Sequence, residues 1–174
     1  MWPIHYLCAK IAESLIQMSQ SEAQINAQQL YGNRIRVRAC GICIENDRVL
    51  MIGHRAIMGE NTFWSPPGGG LEIGEMAEVA LQREFLEETG LKISVGKLLL
   101  MNEFVNLPLH GIELFFVVKR VEGELILGHD PEMDLSQQLI QKIEWLSLDK
   151  IKSLNLSEKH QFWQKYGSFD EIIA

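Results

Sequence analysis

Along the chain the spacing of apolar residues changes once, near residue 35. Before that point Ile4, Leu7, Cys8, Ile11, Leu15 and Met18 recur three and four apart after Pro3, a residue favoured near a helix start, so residues 3–18 are predicted to form an amphipathic helix. A polar run, "SQSEAQINAQQLYGN", follows and closes on Gly32 and Asn33. From Ile35 the period falls to two: "IRVRACGICIE" and "RVLMIGH" flank the turn-forming "ND" and predict a β-hairpin, with Arg36 and Arg38 on one strand face. "KLLLMNEFVN", "IELFFVVKRV", "ELILG" and "KIEWLSL" are further strand candidates, and a terminal helix is expected from about Ser157.

Between the two groups of strands lies one strong helical segment, Glu75 to Thr89. Gly74 precedes it, Gly90 supplies a left-handed stop, and Met76, Val79, Ala80 and Leu86 can form a buried stripe. Strands before and after a single central helix, with another helix at the end, indicate an α+β fold, a sandwich around a mixed β-sheet. The organisation expected is a helical extension, residues 1–34, joined to one domain, residues 35–174.

At 174 residues the chain can bury a core sufficient for one such domain. With 47% hydrophobic and 22% charged residues, neither disorder nor a fibrous class is expected. The net charge of −7 argues against salt-driven binding to a nucleic-acid polymer or an anionic membrane. No apolar run reaches the length of a membrane span, and the first residues make a poor signal peptide, so a cytoplasmic location is expected. Five of the seven arginines, Arg34, Arg36, Arg38, Arg48 and Arg55, precede the glycine-rich segment and concentrate positive charge there. "CGIC" has redox or zinc spacing, but on a strand Cys40 and Cys43 would point to opposite faces and be packed as unreactive thiols.

The central helix carries Glu84, Glu87 and Glu88 in its last turns. At 100° per residue the last two fall within about 60° of the first, so three carboxylates share one face. Like charges one turn apart repel, and anions near a helix C-terminus oppose the macrodipole, each costing some tenths of a kcal/mol. A hard cation such as Mg2+ or Mn2+ would convert that repulsion into ligation. A solvated charged face is the alternative for "EFLEE" on its own.

Residues 68–91, "GGGLEIGEMAEVALQREFLEETGL", decide between these readings. They resemble the Nudix box, with Gly69, Glu75, Arg83, Glu84, Phe85, Glu87, Glu88, Gly90 and Leu91 at its fixed positions. Seven identities at roughly one in fifteen each have a chance probability on the order of 10⁻⁸ per starting point. Phe85 is the one departure, aromatic where an aliphatic residue is commoner. With the preceding "FWSPPGGG" and the flanking strands, the resemblance runs from about Ile35 to Tyr166 and leaves the first 34 residues outside.

The resemblance implies a Nudix-type α/β/α sandwich and metal-dependent hydrolysis of a diphosphate bond in a nucleoside diphosphate linked to another group. A nucleoside triphosphate or a nucleotide sugar such as ADP-ribose would be the small-molecule partner. It implies Glu84, Glu87 and Glu88 as metal ligands, with the Gly69 carbonyl as another. Arg83 and Glu75 would brace those carboxylates. A nucleotide-binding sensor without turnover is the alternative from another class, and residues 1–34 could serve a homodimer under either.

The proton acceptor is left open among Glu87, Glu88, Glu113, Glu103 and the loop pair Glu132 and Asp134. Glu103 and Glu113 stand out because each interrupts an apolar strand, where an unpaired charge is expensive. Arg36, Arg38 and Arg55 are candidates for substrate phosphates because a guanidinium fork matches phosphate oxygens. An exposed edge strand would explain Arg36 and Arg38 almost as well. Phe63 and Trp64 are candidates to flank a base, with core packing as the alternative. Subgroup markers are sparse: no tyrosine lies between Tyr31 and Tyr166, and Pro108 follows the box near the position of a proline associated with ADP-ribose hydrolysis.

Overall fold

A computed structural model describes residues 32–55, 62–128 and 139–173. The predicted hairpin is present. β1 (Arg34–Glu45) turns at Asn46 and Asp47, both with positive φ, into β2 (Arg48–Arg55). That backbone suits a tight hairpin whose twist matches the strands, and asparagine and aspartate tolerate it. β3 (Thr62–Ser65) and β4 (Gly68–Gly70) follow, then helix α1 (Ala77–Thr89), β5 (Lys92–Asn106), β6 (Leu109–Glu122) and β7 (Ile140–Leu146).

The sheet runs β3-β2-β1-β6-β5, with β4 paired to β1 and β7 paired to β2. β1 and β6 are parallel and the other pairs antiparallel, which makes it a mixed sheet. At Arg38 β1 lies between β4 and β6, so Arg38 is not on an edge, whereas Arg36 pairs with β6 only among the described residues.

Alternation along β1 divides the core. Cys40 and Ile42 pack with Phe115, Phe162, Trp163 and Ile172 on one side, while Ala39 and Cys43 pack with Leu81 and Phe85 of α1 on the other. The two cysteines point to opposite faces, as the strand period requires, and burial pushes their thiols up to about 12 and about 11.

Helix α1 starts two residues later than expected because the Glu75 carboxylate is engaged outside it, accepting from the Glu72 backbone and from Arg83. Gly90 ends it in the left-handed conformation, its N–H donating to the Leu86 carbonyl. The buried stripe differs from the expected one. Met76, Val79 and Leu86 are exposed, and Ala80, Leu81, Phe85, Glu88 and Thr89 are buried. The helix is rotated so that Phe85 lies over Gly41, where a Cβ would come within 2.5 Å of the ring, and the aromatic departure from the box is accommodated by that glycine.

Residues 124–128 form no strand. Ile126 and Gly128 donate their N–H groups to the carbonyls of Thr89 and Glu88, satisfying the C-terminal end of α1 instead. No long terminal helix starts at Ser157. After α2 (Leu148–Ser153) come two 3-10 turns, Leu156–Glu158 and Gln161–Gln164, and the short α3 (Asp170–Ile173). The segment is pulled out of helical form by the sheet: His160 donates its N–H to the Trp64 carbonyl, and Phe162 stacks on Phe115. Residues 1–31, including the expected helix at 3–18 and Cys8, lie outside the described residues, as do Glu132 and Asp134.

Candidate active site

The box glutamates are positioned by contact between α1 and the glycine-rich turn. Glu88, buried, accepts the Gly68 backbone N–H at 2.8 Å. Glu84 lies so close to Gly69 that an added Cβ would sit 2.1 Å from its carboxyl carbon. A glycine is required there because the carboxylate and the backbone share the space of a side chain. β4 in turn is pinned to β1, with Gly69 opposite Ala39 and Gly70 opposite Arg38.

Arg83 ties the acidic group together. It donates to both Glu75 oxygens, at 3.1 and 3.0 Å, and its Nη1 reaches Glu84 at 3.0 Å and Glu87 at 3.2 Å. Its Nη2 also donates to the Gly70 carbonyl. These carboxylates hold the guanidinium protonated, and the Arg83 hydrogen bond in turn lowers the Glu75 carboxyl. Burial pushes Glu84 up, with Arg83 opposing.

The chemistry of this donor set fits a hard divalent cation: three carboxylates on one helix face beside backbone carbonyls of a glycine turn. Among the described residues, no three His, Cys, Asp or Glu side chains converge on a single point as they stand. Arg83 occupies oxygens of Glu84 and Glu87, supplying the positive charge that the cluster needs to remain compact.

Glu84, Glu87 and Glu88 line a cavity of about 680 Å³, a size at which drug-sized ligands are held. Arg36, Arg38, Arg55, Gly69, Arg83 and Glu113 line it too, so nine of the predicted positions, counting Glu84, Glu87 and Glu88 with these six, meet around one space. Arg38 is half-buried and donates to the Gly68 carbonyl at 2.7 Å, while its Nε is fully buried and has no hydrogen-bond partner among the described residues. Burial opposes its charge, yet Glu113, Glu88 and Glu84 keep it protonated.

Two expectations change. Trp64 is buried in the core against the C-terminal aromatics, and it is Phe63, the next residue on β3, that lines the cavity. Alternation along the strand separates them, one to each face. Glu103 is exposed and pairs with His110, on the opposite face of the sheet from Glu113.

Glu113 is buried, and its Oε2 accepts from Asn102 Nδ2 at 2.9 Å and pairs with His160 Nε2 at 3.0 Å. His160 Nδ1 accepts from the Phe162 N–H, so the ring proton is on Nε2 and donates to Glu113. Burial raises the Glu113 carboxyl, but the donors outweigh it and hold it below the usual carboxylate range. His54, also in the lining, pairs with Ser65 Oγ at 2.9 Å, and burial with Arg38 nearby brings it down to about 4, neutral at ordinary pH. The sequence carried no signal for Asn102, His54 or His160. His54 and His160 reach the cavity, and Asn102 reaches Glu113, only through strand pairing and the return of the C-terminal segment.

Known proteins agree with this architecture. The family model described as "NUDIX domain" matches residues 33–166. A "MutT-like protein" from Streptomyces ambofaciens is 37% identical over 62 residues, which span 36% of this chain and 38% of that protein. Among solved structures, a NUDIX hydrolase from Nitrosomonas europaea has a TM-score of 0.62 at 20% identity, covering 80% of this chain and 89% of its own. A UDP-X diphosphatase has a TM-score of 0.58 at 19% identity, covering 92% and 76%.

Proposed function

This chain belongs to the NUDIX domain family, and from that premise we propose that it is a pyrophosphohydrolase that uses Mg2+ or Mn2+ and acts on a nucleoside diphosphate joined to a second group. The observation that carries this reading is the meeting, around one cavity, of the box carboxylates with three arginines, Arg36, Arg38 and Arg55. Opposite charges so placed suit a metal-bound diphosphate, whose oxygens can accept from Arg38 while its cation is held by α1.

Glu84 and Glu88 hold the cation with the Gly69 carbonyl, and Arg83 and Glu75 fix the direction of those carboxylates. When bound, the metal polarises a phosphoryl oxygen and lowers the pKa of the attacking water. Glu87, the most exposed of the three, completes the ligand set and accepts the proton that water loses. Glu88 is less suited to that step because it is buried, whereas the Glu87 side chain is 30% exposed.

Arg36, Arg38 and Arg55 take the phosphate oxygens. Glu113 is a fixed hydrogen-bond acceptor rather than a base: two donors on one oxygen stabilise its ionised form, which makes it a poor proton acceptor and a good partner for an N–H of the substrate. Phe63 and Phe104 supply apolar area for a flat ring. Nucleoside triphosphates and nucleotide sugars such as ADP-ribose both meet these requirements. The likeness in fold to a UDP-X diphosphatase favours including UDP-sugars.

The test is a hydrolysis panel with Mg2+ and Mn2+ over nucleoside triphosphates, ADP-ribose, UDP-sugars and dinucleoside polyphosphates, analysed for products. Metal-dependent release of a nucleoside monophosphate supports the reading. Nucleotide binding without turnover across the panel would replace it with a sensor role.

A further inference from the structure

Residues directly opposite each other in a sheet point to the same side, so the pairing of β5 with β6 sorts their side chains. Asn102 and Phe104, opposite Glu113 and Gly111, belong to the cavity face. Met101, Glu103 and Val105, opposite Leu114, Ile112 and His110, belong to the face that α1 covers further along. Beyond α1, among the described residues, that face carries exposed apolar side chains. Leu98, Met101 and Val105 on β5, Leu107 in the turn after it and Ile35 beside His110 are between 51% and 82% exposed. β5 is also the edge strand of the sheet. The exposed apolar residues lie on both sides of one polar pair, Glu103 with His110, and an apolar strip on an edge strand is a surface that proteins ordinarily cover.

The chain supplies a cover of matching chemistry. Asn33 donates its N–H to the Pro108 carbonyl, so residues 1–31 join the domain at the β5–β6 turn, next to Leu107 and Ile35. In that segment Ile4, Leu7, Cys8, Ile11, Leu15 and Met18 recur at helical spacing. A helix over residues 3–18 would be about 24 Å long, and the strip from Leu98 to Leu107 extends about 30 Å at the rise of a strand. The intervening residues 19–31 can span up to about 43 Å when extended. The tether therefore reaches any point on the strip.

We propose that the amphipathic segment 3–18 of the same chain docks its apolar face on the strip formed by Leu98, Met101, Val105, Leu107 and Ile35, covering the edge of the sheet on the face away from Glu113. The docking is intramolecular because the tether starts at the strip itself, which gives the segment an effective concentration no free copy matches at ordinary protein concentrations. It does not depend on catalysis.

The experiment uses the full chain with a photo-crosslinking residue, Val105→p-benzoylphenylalanine, an exposed position where the larger side chain is tolerated. After irradiation and digestion, peptides joining position 105 to residues 1–31 are expected, and a mixture of isotope-labelled and unlabelled chains should give no mixed conjugate. Adding Leu7→Asp and Ile11→Asp, which leave the domain untouched, should lower the yield about tenfold or more, as loss of buried aliphatic side chains would. Conjugates to residues 35–173 of another copy would overturn the proposal in favour of an edge-to-edge dimer. Mixed conjugates to a second chain's segment, or no conjugate to residues 1–31, would also overturn it.

Discussion

Arg83 grips Glu75 with both ends of its fork, Nε to Oε1 at 3.1 Å and Nη2 to Oε2 at 3.0 Å, and so leaves Nη1 aimed at Glu84 and Glu87. The pair fixes the arginine from outside the helix, and the arginine fixes the ligands. Arg83→Ala should lower turnover and weaken Mg2+ binding by about 10- to 100-fold, the range for losing a partner that orients ligands. Arg83→Lys should recover less than half of the lost binding energy, because one ammonium cannot hold two carboxylates in parallel. Metal titration by calorimetry alongside turnover checks both variants.

Gly69→Ala should be folded and inactive or nearly so. The new methyl carbon would fall 2.1 Å from the Glu84 carboxyl, which must then leave its place against the turn. Circular dichroism and a metal titration separate this displacement from unfolding. Activity equal to that of the parent would show that the Glu84 position is not the working one.

Arg38→Lys tests the guanidinium that lines the cavity. Lysine keeps a charge but not the planar fork, so KM for the nucleotide should rise about tenfold, the equivalent of one hydrogen bond to a charged group, with a smaller change in kcat. An unchanged KM would mean that the phosphates bind elsewhere in the cavity.

His54 predicts the acid limb of stability. Its folded pKa of about 4 lies below the unfolded value, so the unfolded chain binds more protons between about pH 4 and 6.5 and stability falls as pH falls through that window. The full effect is on the order of 3 kcal/mol at pH 4 and absent above about pH 7. The lowered Glu113 carboxyl acts in the same direction at lower pH. His54→Gln retains a donor for Ser65 and removes the titration, so denaturant midpoints measured from pH 4 to 7 should vary less in the variant.

The box was readable in the sequence because its function is local: one helix face and one glycine turn hold nearly everything, and helical periodicity places Glu84, Glu87 and Glu88 together without tertiary knowledge. The rotation of α1 was not readable, since Met76, Val79 and Leu86 are as apolar as the residues that are buried. Only the need for Glu84 and Glu88 to meet Gly68 and Gly69 decides which face turns inward. Trp64 was misplaced for a similar reason, as β3 is only four residues long and its alternation cannot be phased before its partners are known. Residues 124–128 have strand composition but are consumed as caps for the α1 carbonyls. His160 and Asn102 are separated from Glu113 by 47 and 11 positions and meet it only through the fold.

The most direct measurement compares metal-dependent hydrolysis by the parent chain and Glu87→Gln at equal thermal stability. Glu87 is partly exposed, and its hydrogen bond with Arg83 is one a glutamine oxygen can keep, so the fold should be unaffected. The account predicts turnover that requires Mg2+ or Mn2+ in the parent and falls at least about 100-fold in the variant. Equal turnover in the two proteins, or turnover that survives chelation of the metal, would contradict it.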